Sequence, residues 1–309
     1  MRYGIYVQNF GDYGDPHNLL TLAREAEDSG WDGFFLWDHL LLYRHSDIPF
    51  VDAWVALGAI AARTERLRLG PLITPAARRR PWKLTREAVS LDHLSHGRAI
   101  LGVGLGAPPD AEFECFGEDS DDRVRARKLD EALEVIDGLW RGEDFSHQGE
   151  FYRVDNVKFV PRAIQSPRVP IWVAGFWPSK PPLRRAERWD GVFPLKRPPV
   201  PLVGLAPGVA PWSLLWLQPQ ELGQAIKDED RRLSKSKPRP PGAPYARFPP
   251  FRAEQRLGPR AAAKERVDSL LRWPPSVYLR ASATDPQARI QRRDRLRPDA
   301  STGRRRAEL

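Results

Sequence analysis

The stretch LRLGPLITPAARRRPWKLTREAVSLDHLSHGRAILGVG, residues 67–104, decides the fold. It opens on the apolar run LRLGPLI (67–73) and closes on a second, RAILGVG (98–104). Between them residues 81–94 read as a helix, opened by Pro81, whose fixed φ suits a first helical turn. Two short apolar runs joined by a helix make a βαβ unit, and such a unit lays its strands parallel in one sheet.

The same alternation extends outward in both directions. Upstream, YGIYVQ (3–8) is the first strand. A helix follows, with Asp15 as N-cap, Pro16 in its first turn, apolar residues at Leu19, Leu20, Leu22, Ala23 and Ala26, and Gly30 as its stop. GFFLW (33–37) is the second strand, and residues 52–63 form a helix carrying Trp54, Leu57 and Ala61. Downstream, a long loop over 105–122 leads into a strongly amphipathic helix over 123–140. Residues 144–160 alternate and read as a hairpin outside the main sheet. PIWVAG (170–175) is a fifth strand, PPLRRAERW is helical, DGVFPL (190–195) is a sixth strand, and residues 219–233 fit a further helix.

Beyond about residue 235 the pattern fails. Arg, Pro and Ala dominate, proline lacks the N–H that helices and ladders need, and like charges repel, so disorder is expected over 235–309. Only SVYLRASA (276–283) resembles a strand; the mixture is also what a GC-rich gene yields when read out of register. Six βα units followed by a loss of pattern fit a (β/α)₈ barrel over 1–234, incomplete or irregular in its last two units. A doubly wound open sheet is the alternative.

Composition narrows the function. The net charge is +9, but residues 228–309 hold 21 Lys+Arg against 10 Asp+Glu, leaving 28 against 30 for the rest. The part that reads as folded is nearly neutral. A nucleic-acid or acidic-partner role would belong to the tail alone, and its acids and sparse aromatics argue against one. No apolar run approaches the roughly 20 residues of a membrane span. The start, MRYGIYVQNFGDYGD, has no secretory pattern, and the single Cys115 suits a reducing cytoplasm, so a cytoplasmic location is expected. No metal site is expected: Cys115 has no cysteine partner, and His17, His45 and His147 are isolated. His93 and His96 read as helix-terminal. Neither a G-x-S-x-G elbow nor a Walker loop is present.

In a parallel α/β architecture ligands meet the carboxyl ends of the strands. Asp38 and His39 stand there on the second strand, where an imidazole oriented by a carboxylate could exchange a proton near neutral pH. The alternative is that Asp38 caps the next turn and His39 bonds to backbone. GVGLG, with Gly102, Gly104, Leu105 and Gly106, lacks the G-x-G-x-x-G spacing but offers a floor on which a flat ring could approach the backbone. Gly175 and Phe176 end the fifth strand, and Lys196 and Arg197 follow the sixth. A glycine turn with two cations suits a phosphate, a solvated charge pair being the alternative. Arg78, Arg79 and Arg80 read as a solvated loop, with a cofactor tail or dimer contact as the other reading.

LWDHLL, the whole run 67–106, RARKLDEALEVIDGLW, PIWVAG and RWDGVFP together resemble the bacterial-luciferase-like flavin- or deazaflavin-dependent oxidoreductases, over roughly residues 1–200. The resemblance implies a (β/α)₈ barrel of luciferase-like type that binds FMN or coenzyme F420 at its carboxyl face. It implies a monooxygenase or other oxidoreductase acting on a small organic substrate by hydride transfer or oxygen activation. It carries over a catalytic His39, lying over the cofactor ring, and an Asp38 that helps to hold the cofactor; the WDH sequence favours F420. It also implies a non-proline cis peptide at Pro71–Leu72, with Leu72 as the backstop of the ring. Sugar-phosphate dehydrogenases of the family carry a glutamate just after the fourth-strand glycines. Here that position reads Leu105-Gly106-Ala107, which favours an apolar substrate. A homodimer is compatible with this reading; an inactive cofactor-binding relative with a defective C-terminal barrel is the competing expectation.

Overall fold

The computed structural model describes residues 3–196; the basic tail, Arg197, and the helix and strand expected over 219–233 and 276–283 lie outside the described residues. The chain begins with β1 (Gly4–Val7), α1 (Pro16–Asp28), β2 (Gly33–Leu36) and α2 (Ala53–Ala61). Both helices start where their caps dictate: Asp15 accepts from His17 N, and Asp52 accepts from Val55 N at 2.9 Å. Next come β3 (Arg68–Pro71), a two-residue β4 (Thr74–Pro75) and α3 (Pro81–Leu94). The third strand is thus shorter than the apolar run 67–73 suggested, because the chain turns at Leu72 and Ile73 before pairing again.

β5 (Leu101–Gly104) follows, and the long loop after it is not structureless. It holds a single turn of helix, α4 (Pro109–Glu112), then a 3-10 turn over residues 114–116. α5 (Asp122–Trp140) is capped by Asp121, which accepts from Arg123 N and Val124 N at 2.9 Å each. Those bonds hold the Asp121 carboxyl below its usual range. β6 (Asp144–Gln148) and β7 (Arg153–Lys158) form an antiparallel hairpin apart from the other strands. β8 (Ile171–Trp177), α6 (Lys180–Ala186) and β9 (Gly191–Lys196) complete the described chain.

The strands run β1-β2-β3 in one parallel sheet and β4-β5-β8-β9 in another. A parallel bridge between Leu69 and Ala99 joins them, with Ile100 N donating to Leu69 O at 2.9 Å. The surface curls: the rings of Tyr6 on β1 and Phe193 on β9 meet edge-on, 5.3 Å between centroids. Alternation along the strands then separates two cores. Ile5, Val7, Phe34, Leu36, Leu69, Leu101, Val103, Ile171 and Val173 face outward onto Leu19, Leu57, Ile60, Leu84, Leu133 and Ile136 of the helices. Tyr6, Phe35, Trp37, Ile100 and Trp172 face inward. Burial on both faces is why these strands read as nearly continuous apolar runs. Each fully buried Phe or Leu contributes about 1.5–3 kcal/mol.

Candidate functional site

The carboxyl ends of β1 and β2 are tied together by one buried side chain, Asn9. Its Nδ2 donates to His39 O at 2.8 Å and Val51 O at 2.7 Å, and its Oδ1 accepts from His39 N at 3.2 Å. With its backbone fixed on both sides, His39 presents its ring between Phe10 and Trp37, at centroid distances of 6.0 and 5.4 Å. Its Nδ1 lies 2.9 Å from Oε1 of Glu112, on α4. The same oxygen accepts from Leu40 N at 3.0 Å and Leu41 N at 3.3 Å, while Oε2 pairs with Arg78. A carboxylate among such donors acts only as an acceptor, so Nδ1 carries the hydrogen and Nε2 keeps the lone pair. Burial pushes the His39 pKa well below its ordinary value and Arg78 pushes the same way, with Asp38 opposing. The ring is therefore neutral at physiological pH.

Asp38 does something else. Its Oδ2 accepts from Thr74 Oγ1 at 2.6 Å, and both carboxylate oxygens accept from Arg79, at 2.9 and 3.1 Å. Its carbonyl accepts from Arg78 Nη2 at 2.9 Å. Thr74 in turn accepts from Trp54 Nε1, and Arg79 reaches Glu87. The carboxylate that meets the imidazole is thus Glu112, and Asp38 binds the end of β2 to the segment after β4.

Two of the three arginines expected in a solvated loop are not there. The Arg78 side chain is only 7% exposed and stands between two acids, Asp38 and Glu112, while Arg79 is held by Asp38 and Glu87; Arg80 alone is exposed. Burial pushes Arg78 down to about 10, so it stays cationic at neutral pH. Four groups of opposite sign, Asp38, Glu112, Arg78 and Arg79, compensate one another, as buried charges must.

The turn after β3 forms the adjoining wall. Its cis bond joins Leu72 and Ile73, one residue later than the Pro71–Leu72 bond expected. Leu72 is buried in the inner cluster, Ile73 packs on it, and Leu72 N donates to Leu36 O at 2.7 Å. The glycines of β5 seat this turn. A Cβ at Gly102 would lie 2.3 Å from Pro71 O, and one at Gly104 would lie 3.0 Å from Ile73 Cδ1. The room left by these missing side chains is filled by the protein's own turn. Gly106, at φ +81°, sits between Pro75 and Phe113, and its carbonyl and that of Leu105 accept from Arg125.

The phosphate corner is placed differently from expectation. Gly175 lies inside β8, where a Cβ would come 2.0 Å from Pro182 Cβ, so it lets α6 pack closely and makes no turn. Phe176 and Leu195 join the inner cluster, and Lys196 ends β9 opposite Trp177. His93 Nε2 meets Arg162 O at 2.7 Å beside the end of α3, and Cys115 Sγ donates to Ala111 O. Among the described residues no cluster of three or more His, Cys, Asp or Glu could hold a metal, and no helix is long and apolar enough to cross a membrane.

Besides Glu112 and Asn9, sequence reading missed Gln8. Strand parity puts Gln8 on the side of Tyr6 and Phe10, and among the described residues its buried Oε1 has no hydrogen-bond partner. An orphaned acceptor in an aromatic and aliphatic surface fits a planar heteroaromatic ring that carries an N–H donor.

Comparison with known proteins bears on the fold and the family. The model of the luciferase-like monooxygenase family matches residues 1–200. An F420-dependent glucose-6-phosphate dehydrogenase of Microbacterium testaceum is 33% identical over 180 residues, 58% of this chain and 52% of that protein. An uncharacterized protein of Sinorhizobium fredii, y4wF, is 36% identical over 155 residues, covering 50% and 44%. The chain spans about half the length of the curated relatives it matches. Among solved structures, an F420-dependent secondary alcohol dehydrogenase in complex with an F420-acetone adduct superposes with a TM-score of 0.59 at 21% identity, covering 76% of this chain and 65% of that one. The monooxygenase RslO1 of Streptomyces bottropensis gives 0.57 at 25%, covering 77% and 68%. These likenesses share a barrel-type fold, and the family match extends over most of the sequence: the chain belongs to the luciferase-like monooxygenase family.

Proposed function

We propose that the chain is an oxidoreductase that works with F420 or FMN, F420 favoured, on a small apolar substrate such as a secondary alcohol. The observation that carries this reading is the neutral His39, held by Glu112 with its lone pair on Nε2, on an aromatic wall beside Leu72 and Ile73. Several curated relatives are named F420-dependent glucose-6-phosphate dehydrogenases, which supports the deazaflavin. A sugar phosphate suits the described residues poorly. Arg78 and Arg79 are occupied by Asp38 and Glu112, and no acid stands at Leu105, Gly106 or Ala107.

The cofactor, when bound, supplies the hydride acceptor. Phe10, Trp37, Leu72 and Ile73 would flank its ring, and Gln8 Oε1 would accept from a ring N–H. His39 Nε2 takes the hydroxyl proton of the alcohol as the carbon loses hydride, and the product is a ketone. Glu112 holds the imidazole in the tautomer that step needs, and the aromatic wall excludes water. Asp38, carried over as a cofactor holder, acts in this reading through Thr74 and the turn at 72–73. Leu105, Gly106, Gly175, Phe176 and Lys196 border the rest of the carboxyl face, and the expected role of Arg197 falls outside the described residues. In this reading the domain and the basic tail divide near residue 234, a boundary outside the described residues; the location is cytoplasmic, and a homodimer is compatible.

Turnover of a panel of secondary alcohols with oxidised cofactor tests the proposal. His39→Asn should lower it by about 10²-fold or more while cofactor binding persists. A variant as active as wild type overturns the role of His39. Binding without turnover of any alcohol would instead favour an inactive cofactor-binding relative.

A further inference from the structure

Glu112 reaches His39 from a single turn of helix in a loop, an element too short to hold its own position. Leu40 N, Leu41 N and Arg78 hold its carboxylate, and the two ends of the loop that carries it converge on one further side chain. Arg125, in the first turns of α5, is 2% exposed, and burial lowers its pKa, with the Asp122 carboxylate opposing. Its Nη1 donates to Leu105 O at 2.8 Å and to Gly106 O at 2.9 Å, where the loop leaves β5. Its Nη2 pairs with Asp122 at the start of α5, where the loop ends. Its guanidinium carbon lies 4.5 Å from the ring centroid of Phe113, the residue after Glu112.

The contacts form one stack. Gly106, at φ +81°, is pressed between Pro75 and Phe113: a Cβ there would lie 2.8 Å from Pro75 and 3.0 Å from Phe113. Pro75 follows Thr74, which donates to Asp38. Arg125 therefore joins the loop bearing Glu112 to the turn bearing Asp38's partner. A guanidinium suits this place because its planar fork reaches two carbonyls and a carboxylate while its face covers a ring. A lysine has neither the fork nor the face.

We propose that Arg125 is a positioning residue: by clamping Leu105, Gly106 and Phe113 it sets Glu112 Oε1 against His39 Nδ1 and so selects the Nδ1–H tautomer of His39. The proposal rests on the reading of His39 given above, but its test needs no cofactor and no turnover.

The measurement is the ¹⁵N spectrum of the imidazole nitrogens in the full-length chain, with His39 assigned by loss of its signals in His39→Asn. Wild type is expected to show Nδ1 protonated and Nε2 not. Glu112→Gln provides the benchmark for a released ring, which reverts toward the Nε2–H form that neutral histidine prefers in water. Arg125→Met should shift more than half of the His39 population to that form, and Arg125→Lys a smaller part. A residue with only a structural role would lower the melting temperature and leave the tautomer of the folded protein unchanged, which overturns the proposal. If Arg125→Met does not fold, Arg125→Lys and Phe113→Leu carry the decision by the same signal, since the first keeps a long cationic chain and the second an apolar one. A wild-type His39 without the Nδ1 proton would overturn the Glu112 contact as well, whereas failure to turn over alcohols with a wild-type tautomer in place touches only the functional reading.

Discussion

His39 Nδ1 and Glu112 Oε1 stand 2.9 Å apart although 73 residues separate them in the chain. The contact joins the end of β2 to a loop beyond β5, and it decides which nitrogen of the ring can take a proton. Glu112→Gln keeps the size of the side chain and removes its charge, so Nδ1–H is no longer required. Turnover should fall about 10- to 100-fold, with cofactor affinity changed by no more than a factor of about 2. Steady-state kinetics beside a binding titration will check this. Equal losses in both would mean that Glu112 shapes the binding surface and has no particular effect on His39.

Acid should expose the buried imidazole. The folded pKa of His39 is depressed from 6.5 to about 3. As pH falls below 6.5 the unfolded chain takes up a proton that the folded chain refuses, so stability is fully present above that value and is lost on the way down. By pH 5 the loss from this one group is about 1–2 kcal/mol relative to pH 8. His39→Gln removes it, so the melting temperature of the variant should fall less than that of wild type between pH 8 and pH 5. Parallel falls in calorimetry would contradict a neutral, buried His39.

Asp38 balances Arg79 and faces Arg78, and its removal leaves cations buried without compensation. Asp38→Asn should destabilise the fold by roughly 3 kcal/mol, read from urea unfolding. The double variant Asp38→Leu/Arg79→Met should recover part of that loss, because an apolar pair replaces an ionic one. A double variant less stable than the single would show that the network is needed as a whole.

The alternation of strand and helix was legible in the sequence because periods of 2 and 3.6 residues are local, and the caps Asp15 and Asp52 are local too. His39 was legible as a candidate at a strand end because a parallel sheet exposes its strands' carboxyl ends, and Val7 and Leu36 mark where those ends begin. Glu112 was not. A helix of one turn has no period to read, although an acid between Ala111 and Phe113, both apolar, hints at burial. Arg78 and Arg79 read as solvated because the acids they meet lie in other segments. Glycines show where side chains are missing without showing what fills the room. At Gly102 it is Pro71 and Leu72, and at Gly175 it is Pro182, in both cases the protein itself.

On the proposed function, the inner wall of Gln8, Phe10, Trp37, Leu72 and Ile73, with His39 at its edge, takes a flavin-like ring. The most direct measurement is a fluorescence titration of the folded, full-length chain with oxidised F420 and with oxidised FMN, repeated on Gln8→Leu. Binding should be saturable, tighter for F420, and about 10-fold weaker in Gln8→Leu for loss of one buried hydrogen bond. A folded wild-type chain that binds neither cofactor would contradict the proposed function.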